Sequence, residues 1–449
     1  MDKNEALRQR DLAVLWHPTT QMKDHEWLPL LPVSSGNGVW LKDMQGKRYI
    51  DAISSWWVNL FGHANPHISG AVAEQAQCLE HVILAGVTHE PAVRLAEKLV
   101  DITPPGLERV FYADSGASAV EISLKMSFHY WRNTGDEGRT RFVTLSNSYH
   151  GDTLGALSVG DAGLFKAAYE PLLMEPLVAP SPDCFALPRS EWDRHAENKL
   201  ADMREIFARH EGEICAVIIE PLVQCAGGMR MYPPSYLTGL RSLCDEYNIH
   251  LIADEIAVGF ARTGSMFACE QGGISPDFMC VSKGLTGGYL PMSAVLTSEQ
   301  VYTAFYAEYT TLRGFLHSHS YTGNALACAA ALATLELFEQ RDVLADNRKL
   351  ARLMMESISG LQDDEHIGDI RQTGMILAVE MVAQREPMIQ YDWKERRGMK
   401  VYQHALQQGV LLRPIGNTVY FMPPYVINPD EIELMASAAI GGIRLATAD

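Results

Sequence analysis

Short, unbroken apolar runs alternate with helix-like segments between about residues 105 and 300, and this pattern constrains the fold more than any other feature of the chain. Strands covered by helices on both faces consist of continuous apolar runs, whereas strands with one solvated face alternate apolar and polar residues. The pattern therefore predicts an α/β fold with a mostly parallel central sheet and helices on both faces. The predicted strands are residues 109–113, 141–145, 215–220, 250–254, 278–281 and 292–296.

The sequence on either side of this region predicts a second, smaller α+β domain. The N-terminal segment, which carries a hairpin pattern at residues 39–49, is expected to be part of this domain. Helices are expected over residues 118–126, 234–247 and 323–341, and further short strands near residues 371–381 and 419–422. We therefore predict an N-terminal segment of the small domain at residues 1–60, a large domain at 61–335 and a C-terminal small domain at 336–449.

Charge and cysteine content exclude several classes of function. The 449 residues include 37 Lys and Arg against 55 Asp and Glu, a formal net charge of -18, which disfavours nucleic acids and anionic membranes as partners. The eight cysteines are scattered without metal-ligand spacing, so we expect buried thiols in a reducing compartment and no structural metal. The N-terminus lacks an apolar signal region, and no apolar run reaches the roughly 20 residues that span a bilayer. The sequence therefore predicts a cytosolic protein that acts on small molecules.

Ligands of such a sheet bind beyond the carboxyl ends of its strands, so the polar residues that follow the predicted strands are the first candidates for chemistry. Lys283 lies where the apolar run 278–281 gives way to glycines. An amine at the rim of a buried sheet is partly desolvated, which lowers its pKa and frees its lone pair to form a Schiff base with an aldehyde. The alternative is a solvated lysine in a strand-end loop.

Asp254 closes the apolar run 250–254. A buried carboxylate is costly unless a cation pairs with it. The pyridinium nitrogen of pyridoxal phosphate is one such partner, because a carboxylate there keeps the ring protonated and makes it an electron sink. The alternative is an aspartate that caps the following helix.

Two further strand ends also carry candidate cofactor-binding residues. Ser115, Gly116 and Ala117 lie between a predicted strand and a helix, where small residues and free backbone amides suit a phosphate. Tyr149 and His150 follow the strand 141–145, and Tyr149 offers an aromatic face to a planar ring. An ordinary capping turn and a core-packed tyrosine are the alternatives. Taken together, a lysine, a carboxylate, a phosphate cradle and an aromatic platform match the requirements of a pyridoxal phosphate site.

At these residues the chain resembles the fold type I pyridoxal phosphate-dependent transferases, and specifically the class III aminotransferases. The resemblance covers nearly the whole chain and keeps the order and spacing of the family's motifs. The motifs are Ser115-Gly116-Ala117, Tyr149-His150-Gly151, Glu220-Pro221, Asp254-Glu255-Ile256, Gly259 to Gly264, Lys283-Gly284 and His319 to Asn324.

This resemblance implies a role for each matching residue and a homodimer with shared active sites. Lys283, Tyr149 and Asp254 are the implied catalytic residues, with Lys283 attached to pyridoxal 5'-phosphate and later moving protons. Tyr149 and Ile256 are expected to enclose the cofactor ring, and Ser320 is expected to reach the phosphate of the neighbouring subunit. The implied cofactor-binding residues are Ser115, Gly116, Ala117, Tyr149, His150, Asp254, Ile256, Lys283 and Ser320.

Within the class, the chain resembles the branch that acts in biotin synthesis, which converts 8-amino-7-oxononanoate to 7,8-diaminononanoate. The residues that carry this resemblance are Trp16-His17-Pro18, Ser54 to Trp57, Tyr149 to Asp152, Arg413-Pro414 and Met422 to Tyr425. Tryptophans would line an apolar slot for the alkyl chain, and Arg413 would bind the far carboxylate. Arg262 would face the carboxyl region of the donor, with Glu220 as its partner when no substrate is bound. The implied substrate-binding residues are Trp56, Trp57, Tyr149, Asp152, Arg262, Leu316 and Arg413.

The amino donor has two candidates. Members of the branch that use S-adenosylmethionine carry a tyrosine after the His-Pro motif, whereas this chain has Thr19 and Thr20 there. Members that use lysine also lack this tyrosine. We expect S-adenosylmethionine, with lysine as the alternative. The rival functions are an ω-amine:pyruvate or acetylornithine-type aminotransferase, an aminomutase, and a non-catalytic regulator, for which the acidic chain offers no DNA-binding segment.

Overall fold

The structure is a computed structural model that describes residues 2–448 and divides the chain into two compact units. The larger unit comprises residues His67–Lys349 and Arg371–Leu377, and the smaller comprises Met1–Pro66, Leu350–Ile370 and Ala378–Asp449. Among the residues described, no helix is both long enough and apolar enough to cross a membrane.

The helices and strands follow in chain order. The strands are β1 (Val33–Asn37), β2 (Trp40–Asp43), β3 (Arg48–Asp51), β4 (Arg109–Ala113), β5 (Arg141–Leu145), β6 (Leu177–Ala179), β7 (Ile214–Ile219), β8 (Val223–Gln224), β9 (Arg230–Met231), β10 (His250–Asp254), β11 (Phe278–Val281), β12 (Ser293–Thr297), β13 (Ile367–Thr373), β14 (Ile376–Gln384), β15 (Ile389–Gln390), β16 (Val410–Leu411) and β17 (Thr418–Phe421). The helices are α1 (Lys3–Leu12), α2 (Ser54–Trp57, a single turn with left-handed backbone angles), α3 (Pro66–Ala76), α4 (Glu90–Ile102), α5 (Gly116–Asn133), α6 (Leu154–Ser158), α7 (Gly163–Lys166), α8 (Trp192–Arg209), α9 (Pro234–Glu246), α10 (Glu299–Thr303), α11 (Ala325–Gln340), α12 (Val343–Ser357), α13 (Arg397–Gln407) and α14 (Pro429–Thr447). Short 3-10 turns lie at Met22–Glu26, Glu170–Leu172, Arg189–Glu191, Ala268–Gly272, Lys283–Thr286, Tyr309–Thr311, Ser359–Leu361 and Trp393–Glu395.

A seven-stranded sheet in the order β4-β12-β11-β10-β7-β5-β6 forms the centre of the larger unit. Strand β12 runs antiparallel to both of its neighbours, and the other adjacent strands are parallel. Every residue of β7, β10, β11 and β12 is buried, which is the physical reason that these strands are continuous apolar runs. The prediction of a mostly parallel α/β sheet is confirmed.

Helix α5 shows how the sequence places a helix against this sheet. Ser115 caps its N-terminus, because the side-chain oxygen accepts a hydrogen bond from the Ser118 amide at 3.3 Å. Its buried face, which includes Val120, Ile122 and Met126, packs against β4, β7, β10, β11 and β12. The helix therefore begins directly at the end of β4, and its free N-terminal amides lie at the carboxyl edge of the sheet.

The smaller unit contains a sheet in the order β1-β2-β3-β16 and a second sheet in which β13, β14 and β15 are adjacent and β17 pairs with β14. The predicted hairpin over residues 39–49 is confirmed as the antiparallel pair β2 and β3. Residues 371–377, at the turn between β13 and β14, group with the larger unit. Helices α13 and α14 pack against each other and against β16.

Candidate active site

The carboxyl ends of the parallel strands bring the predicted cofactor residues of the larger unit to one edge of the sheet. Asp254 is the last residue of β10, and Lys283 follows β11, the adjacent strand. Strand β4 points the same way, since β12 runs antiparallel to both β4 and β11. The segment Ser115 to Ala117, which follows β4, therefore begins at this same edge.

Asp254 is held by two hydrogen bonds. Its Oδ2 lies 2.7 Å from Nδ1 of His150, and its Oδ1 accepts a hydrogen bond from the amide of Ile256 at 3.1 Å. The side chain of His150 is completely buried, and its Nε2 has no partner among the described residues. Because the carboxylate accepts at Nδ1, His150 is assigned the tautomer with the proton on that nitrogen. The pair fixes the orientation of the carboxylate, and its sequence separation of 104 positions made it impossible to predict from sequence pattern.

Burial lowers the pKa of the Lys283 amine below its ordinary value, and the neighbouring acidic groups Cys225, Asp254 and Glu220 oppose this shift. The backbone of Lys283 has φ of 42°, in the left-handed region that non-glycine residues rarely adopt. An amine with a lowered pKa is more often neutral, and the neutral amine is the nucleophile. The environment of Lys283 therefore suits covalent chemistry with an aldehyde.

Glu220 connects two loops at the sheet edge. Its Oε2 accepts a hydrogen bond from the Tyr149 amide at 3.1 Å, and its Oε1 accepts one from the Cys225 amide at 3.0 Å. Burial raises the pKa of Glu220 to about 7, a shift that the nearby His150 opposes and Asp254 reinforces. Burial also raises the pKa of Tyr149, with Asp152 as a second cause. Glu220 was expected from a family motif, whereas Cys225 was not, because a single cysteine in an apolar run carries no functional signal.

Glycines make the candidate phosphate cradle possible. A Cβ added to Gly116 would lie 3.0 Å from the side chain of Ile256, and one added to Gly151, which has φ of 134°, would lie 2.5 Å from Cβ of Ala117. Gly116 and Ala117 are the first residues of α5, whose initial amides lack carbonyl partners within the helix. The absence of these two side chains lets the segments pack closely, and the amides at the helix N-terminus remain as donors for an anion.

These observations fit pyridoxal 5'-phosphate. The amides at the start of α5 suit its phosphate, the carboxylate of Asp254 suits its ring nitrogen, and the amine of Lys283 suits its aldehyde. The arrangement thus offers a chemically matched group to the phosphate, the ring nitrogen and the aldehyde of this cofactor.

Three of the predicted substrate residues lie in the smaller unit, namely Trp56 and Trp57 in the left-handed turn Ser54–Trp57, and Arg413. Trp56 is 44% exposed, and the guanidinium of Arg413 lies 5.9 Å from the centre of its ring. Trp57 is buried and donates a hydrogen bond from Nε1 to the hydroxyl of Tyr420 at 3.0 Å. Trp56 and Arg413 are thus neighbours on an accessible surface of this unit, whereas Trp57 is packed in its core.

The remaining predicted residues lie in the larger unit. Arg262 is buried, and its carbonyl accepts a hydrogen bond from the Met375 amide at 2.8 Å. Asp152 is exposed beside Tyr149, while Leu316 and Ser320 are exposed in the loop before α11. The contacts of this loop include those of His81 Nε2 with the Ser320 carbonyl at 2.7 Å and of His319 with Asp114 at 3.2 Å. The contact with Asp114, which the sequence did not predict, links the loop to the residue before the phosphate cradle.

Comparisons with known proteins agree with this geometry. The family model for class III aminotransferases matches residues 21–440. The adenosylmethionine-8-amino-7-oxononanoate aminotransferase of Helicobacter pylori is 46% identical over 438 residues, which cover 96% of each chain. The crystal structure of an enzyme of the same name from Methanocaldococcus jannaschii superposes with a TM-score of 0.93 at 39% identity over 99% of each chain. An ω-transaminase from Pseudomonas jessenii, solved in complex with PMP, reaches the same TM-score at 28% identity over 98% of each chain.

Proposed function

The chain belongs to the class III aminotransferases, which depend on pyridoxal 5'-phosphate, and on that premise we propose that it transfers an amino group to 8-amino-7-oxononanoate to give 7,8-diaminononanoate. The observation that carries this proposal is the 46% identity to the Helicobacter pylori enzyme over 96% of both chains. Similarity of fold alone does not select this substrate, because the ω-transaminase superposes equally well. The greater sequence identity and the residues of the smaller unit favour the biotin-pathway reaction.

The larger unit supplies the residues that hold the cofactor and move the protons. Pyridoxal 5'-phosphate provides an aldehyde that takes up the amino group and a ring that withdraws electrons. In the proposal, Asp254, oriented by His150, keeps the ring nitrogen protonated. The amine of Lys283 would accept the proton from the α-carbon of the donor and return a proton on the cofactor side. The second half-reaction uses the same residues in the reverse order with the keto acid.

Recognition of the acceptor is assigned to the smaller unit. The alkyl chain of 8-amino-7-oxononanoate would lie along the ring of Trp56, and its carboxylate would bind the guanidinium of Arg413, which lies 5.9 Å from that ring. Arg413 also donates a 3.5 Å hydrogen bond to the carbonyl of Thr19, which restricts the guanidinium. Arg262, buried in the larger unit, would face the carboxyl group of the donor. An apolar chain with a distant carboxylate suits this pairing of an indole with a guanidinium.

The proposed reaction is tested by following each half-reaction through the absorbance of the bound cofactor. We expect 7,8-diaminononanoate to change the absorbance of the bound cofactor rapidly, and ornithine and 4-aminobutyrate to leave this absorbance unchanged. S-adenosylmethionine and lysine are then added separately, and we expect S-adenosylmethionine to act as the donor, as the names of the relatives state for those enzymes. Faster conversion by ornithine, 4-aminobutyrate or a simple ω-amine would instead assign the chain to another transaminase activity of the class.

We also propose that the protein is a homodimer in which Ser320 contributes to the phosphate site of the partner. The exposure of Ser320 and of the apolar Leu312 and Leu316 in the same loop supports this assignment. Sedimentation should therefore give about twice the chain mass of 49.8 kDa. The Ser320→Ala variant should lose pyridoxal 5'-phosphate more easily on dialysis.

Mixed dimers distinguish a contribution in trans from one in cis. When Ser320→Ala subunits are combined with Lys283→Ala subunits, the intact Ser320 of the second subunit faces the intact Lys283 of the first. We expect such mixtures to recover cofactor retention and activity at one of the two sites. Mixtures that stay as weak as Ser320→Ala alone would show that Ser320 acts within its own subunit or not at all.

We place the reaction in the cytoplasm. All eight cysteines are free thiols, and seven of them are buried. Free thiols are typical of proteins from reducing compartments, although buried ones are also protected by their surroundings. Fractionation of cells that express the protein is the direct measurement, and recovery with secreted proteins would contradict the assignment.

A further inference from the structure

The turn that carries Trp56 has a backbone that non-glycine residues rarely adopt. Ser54, Ser55, Trp56 and Trp57 have φ of 51°, 46°, 72° and 73°, so four consecutive side-chain-bearing residues form a left-handed turn. In this conformation Cβ crowds the following carbonyl oxygen. Such strain persists only where the surrounding structure enforces it, and it is concentrated at functional sites.

Asp51, the last residue of β3, enforces the turn with its buried carboxylate. Its Oδ2 accepts hydrogen bonds from the hydroxyl of Ser55 at 2.7 Å and from Nε2 of His63 at 2.9 Å, and its Oδ1 accepts one from the Ile53 amide at 3.3 Å. The Asp51 side chain is completely buried. Hydrogen bonds to an ionised group are stronger than those between neutral groups, so Ser55 is held firmly in the left-handed conformation.

A second layer of hydrogen bonds fixes His63. The side-chain amide of Asn59 lies 3.2 Å from Nδ1 of His63, and Oδ1 of Asn59 accepts a hydrogen bond from the Gly62 amide at 2.7 Å. Since Oδ1 of Asn59 is the acceptor, its amide nitrogen donates to Nδ1, and Nε2 of His63 is left to donate to Asp51. Gly36 permits this placement, because a Cβ there would lie 2.6 Å from Cβ of His63. The hydrogen bonds run from Gly62 through Asn59 and His63 to Asp51, and the donor and the acceptor of each one are therefore determined.

The same turn is anchored at its other residues, with Trp56 as the exception. Ser54 donates from its hydroxyl to the Met422 carbonyl at 2.7 Å, and Trp57 donates from Nε1 to Tyr420. Trp56 lies between these anchors with 44% of its surface exposed and its ring beside Arg413. The anchored neighbours thus direct an accessible indole toward the guanidinium.

We propose that Asp51, Ser55 and His63 are positioning residues for the keto acid acceptor, which keep the left-handed turn formed and the Trp56 ring beside Arg413. This inference rests on the proposed function, in which Trp56 and Arg413 bind the alkyl chain and the carboxylate. Relaxation of Ser55 to an ordinary right-handed or extended conformation would redirect the Trp56 side chain away from Arg413. Binding of the acceptor depends on this turn, whereas the proton transfers of the larger unit do not use it.

The test is the Ser55→Ala variant, assayed one half-reaction at a time in the cofactor-loaded protein. We expect the half-saturating concentration of 8-amino-7-oxononanoate to rise roughly tenfold, because one hydrogen bond to a carboxylate is lost. The maximal rate of that half-reaction and the whole donor half-reaction should stay within about twofold of the wild type. Nonanoate has the chain and the carboxylate but no ketone. Its affinity as a competitive inhibitor should fall by a similar factor, and this measurement does not depend on turnover of nonanoate.

Three further variants make the result decisive. Ser34→Ala is the matched control, because that hydroxyl donates to the carbonyls of Lys42 and Asp43 on a neighbouring strand; it should bind the acceptor normally. Arg413→Ala is the positive control and should weaken the binding of both the acceptor and nonanoate. Ser55→Gly also lacks the hydroxyl but accepts positive φ without strain, so it tests the same contact if Ser55→Ala does not fold.

The outcomes separate this inference from the function on which it rests. Folded Ser55 variants that bind the acceptor and nonanoate like the wild type would overturn the inference alone. An equal loss in both half-reactions would also overturn it, because it would indicate a general structural role. A wild-type protein that does not convert 8-amino-7-oxononanoate at all would overturn the proposed function as well.

Discussion

Replacement of Lys283 by alanine is expected to lower the turnover number by at least about 10⁴-fold and to remove the visible absorbance that pyridoxal 5'-phosphate gains when it is attached to a lysine. Two functions are lost at once, since this amine is both the proposed covalent attachment point and the proposed carrier of the proton. Burial lowers the pKa of this amine, which increases the share of it that is neutral. The absorbance spectrum and single-turnover rates with 7,8-diaminononanoate are the measurements.

A matched control variant and restoration of the rate by an added amine distinguish the loss of proton transfer from general disruption of the fold. Lys349, whose side chain is 66% exposed and paired with Asp346, serves as the control, and Lys349→Ala should retain wild-type rates. A small amine such as methylamine, added to Lys283→Ala, is expected to restore part of the rate in proportion to its concentration, because it can replace the missing base. A Lys283→Ala protein that keeps both its yellow colour and its turnover would remove Lys283 from the mechanism.

The strands that end at the candidate cofactor site were the most predictable part of the fold. The predictions for residues 109–113, 141–145, 250–254 and 278–281 agree with β4, β5, β10 and β11 at both ends. These strands are short and largely buried, so a continuous apolar run and a following polar residue mark both the strand and its end. The candidate residues Asp254 and Lys283 were found for the same reason, since each lies at the end of such a run.

Interactions between distant segments could not be read from the sequence. The hydrogen bond between His150 and Asp254 joins residues on different strand ends, and the contact of Glu220 with the amides of Tyr149 and Cys225 joins two loops. Apolar patterning also carries no direction, so it did not reveal that β12 runs antiparallel to its neighbours.

The left-handed turn at Ser54 to Trp57 was unpredictable for a different reason. Positive φ is normally signalled by glycine or asparagine, and this segment has neither. Its conformation is determined by partners outside the turn, namely Asp51 and His63 with Ser55, Met422 with Ser54, and Tyr420 with Trp57. Prediction from local conformational preference therefore fails where tertiary hydrogen bonds determine the backbone conformation.

Substitution of Asp254 by asparagine is expected to slow both half-reactions by about 10² to 10³-fold while the concentrations of donor and acceptor that give half-maximal rate change little. Asparagine has nearly the same shape but carries no charge to stabilise a protonated ring nitrogen, and breaking a buried ion pair costs roughly 3–5 kcal/mol. The oxygen that accepts from the Ile256 amide is retained. Because the ring withdraws electrons in both directions of transfer, the loss should be shared by donor and acceptor.

Asp277 provides the matched control at the opposite edge of the same sheet. It directly precedes β11, and its Oδ2 accepts hydrogen bonds from the Leu251 amide at 2.7 Å and from Arg241 at 2.8 Å. Asp277→Asn removes a comparable strand-end carboxylate, so it should lower the melting temperature and leave the half-reaction rates of the folded protein unchanged. If Asp254→Asn binds the cofactor and keeps rates within about fivefold of the wild type, its carboxylate does not face the ring nitrogen, and the hydrogen bond with His150 has a structural purpose instead.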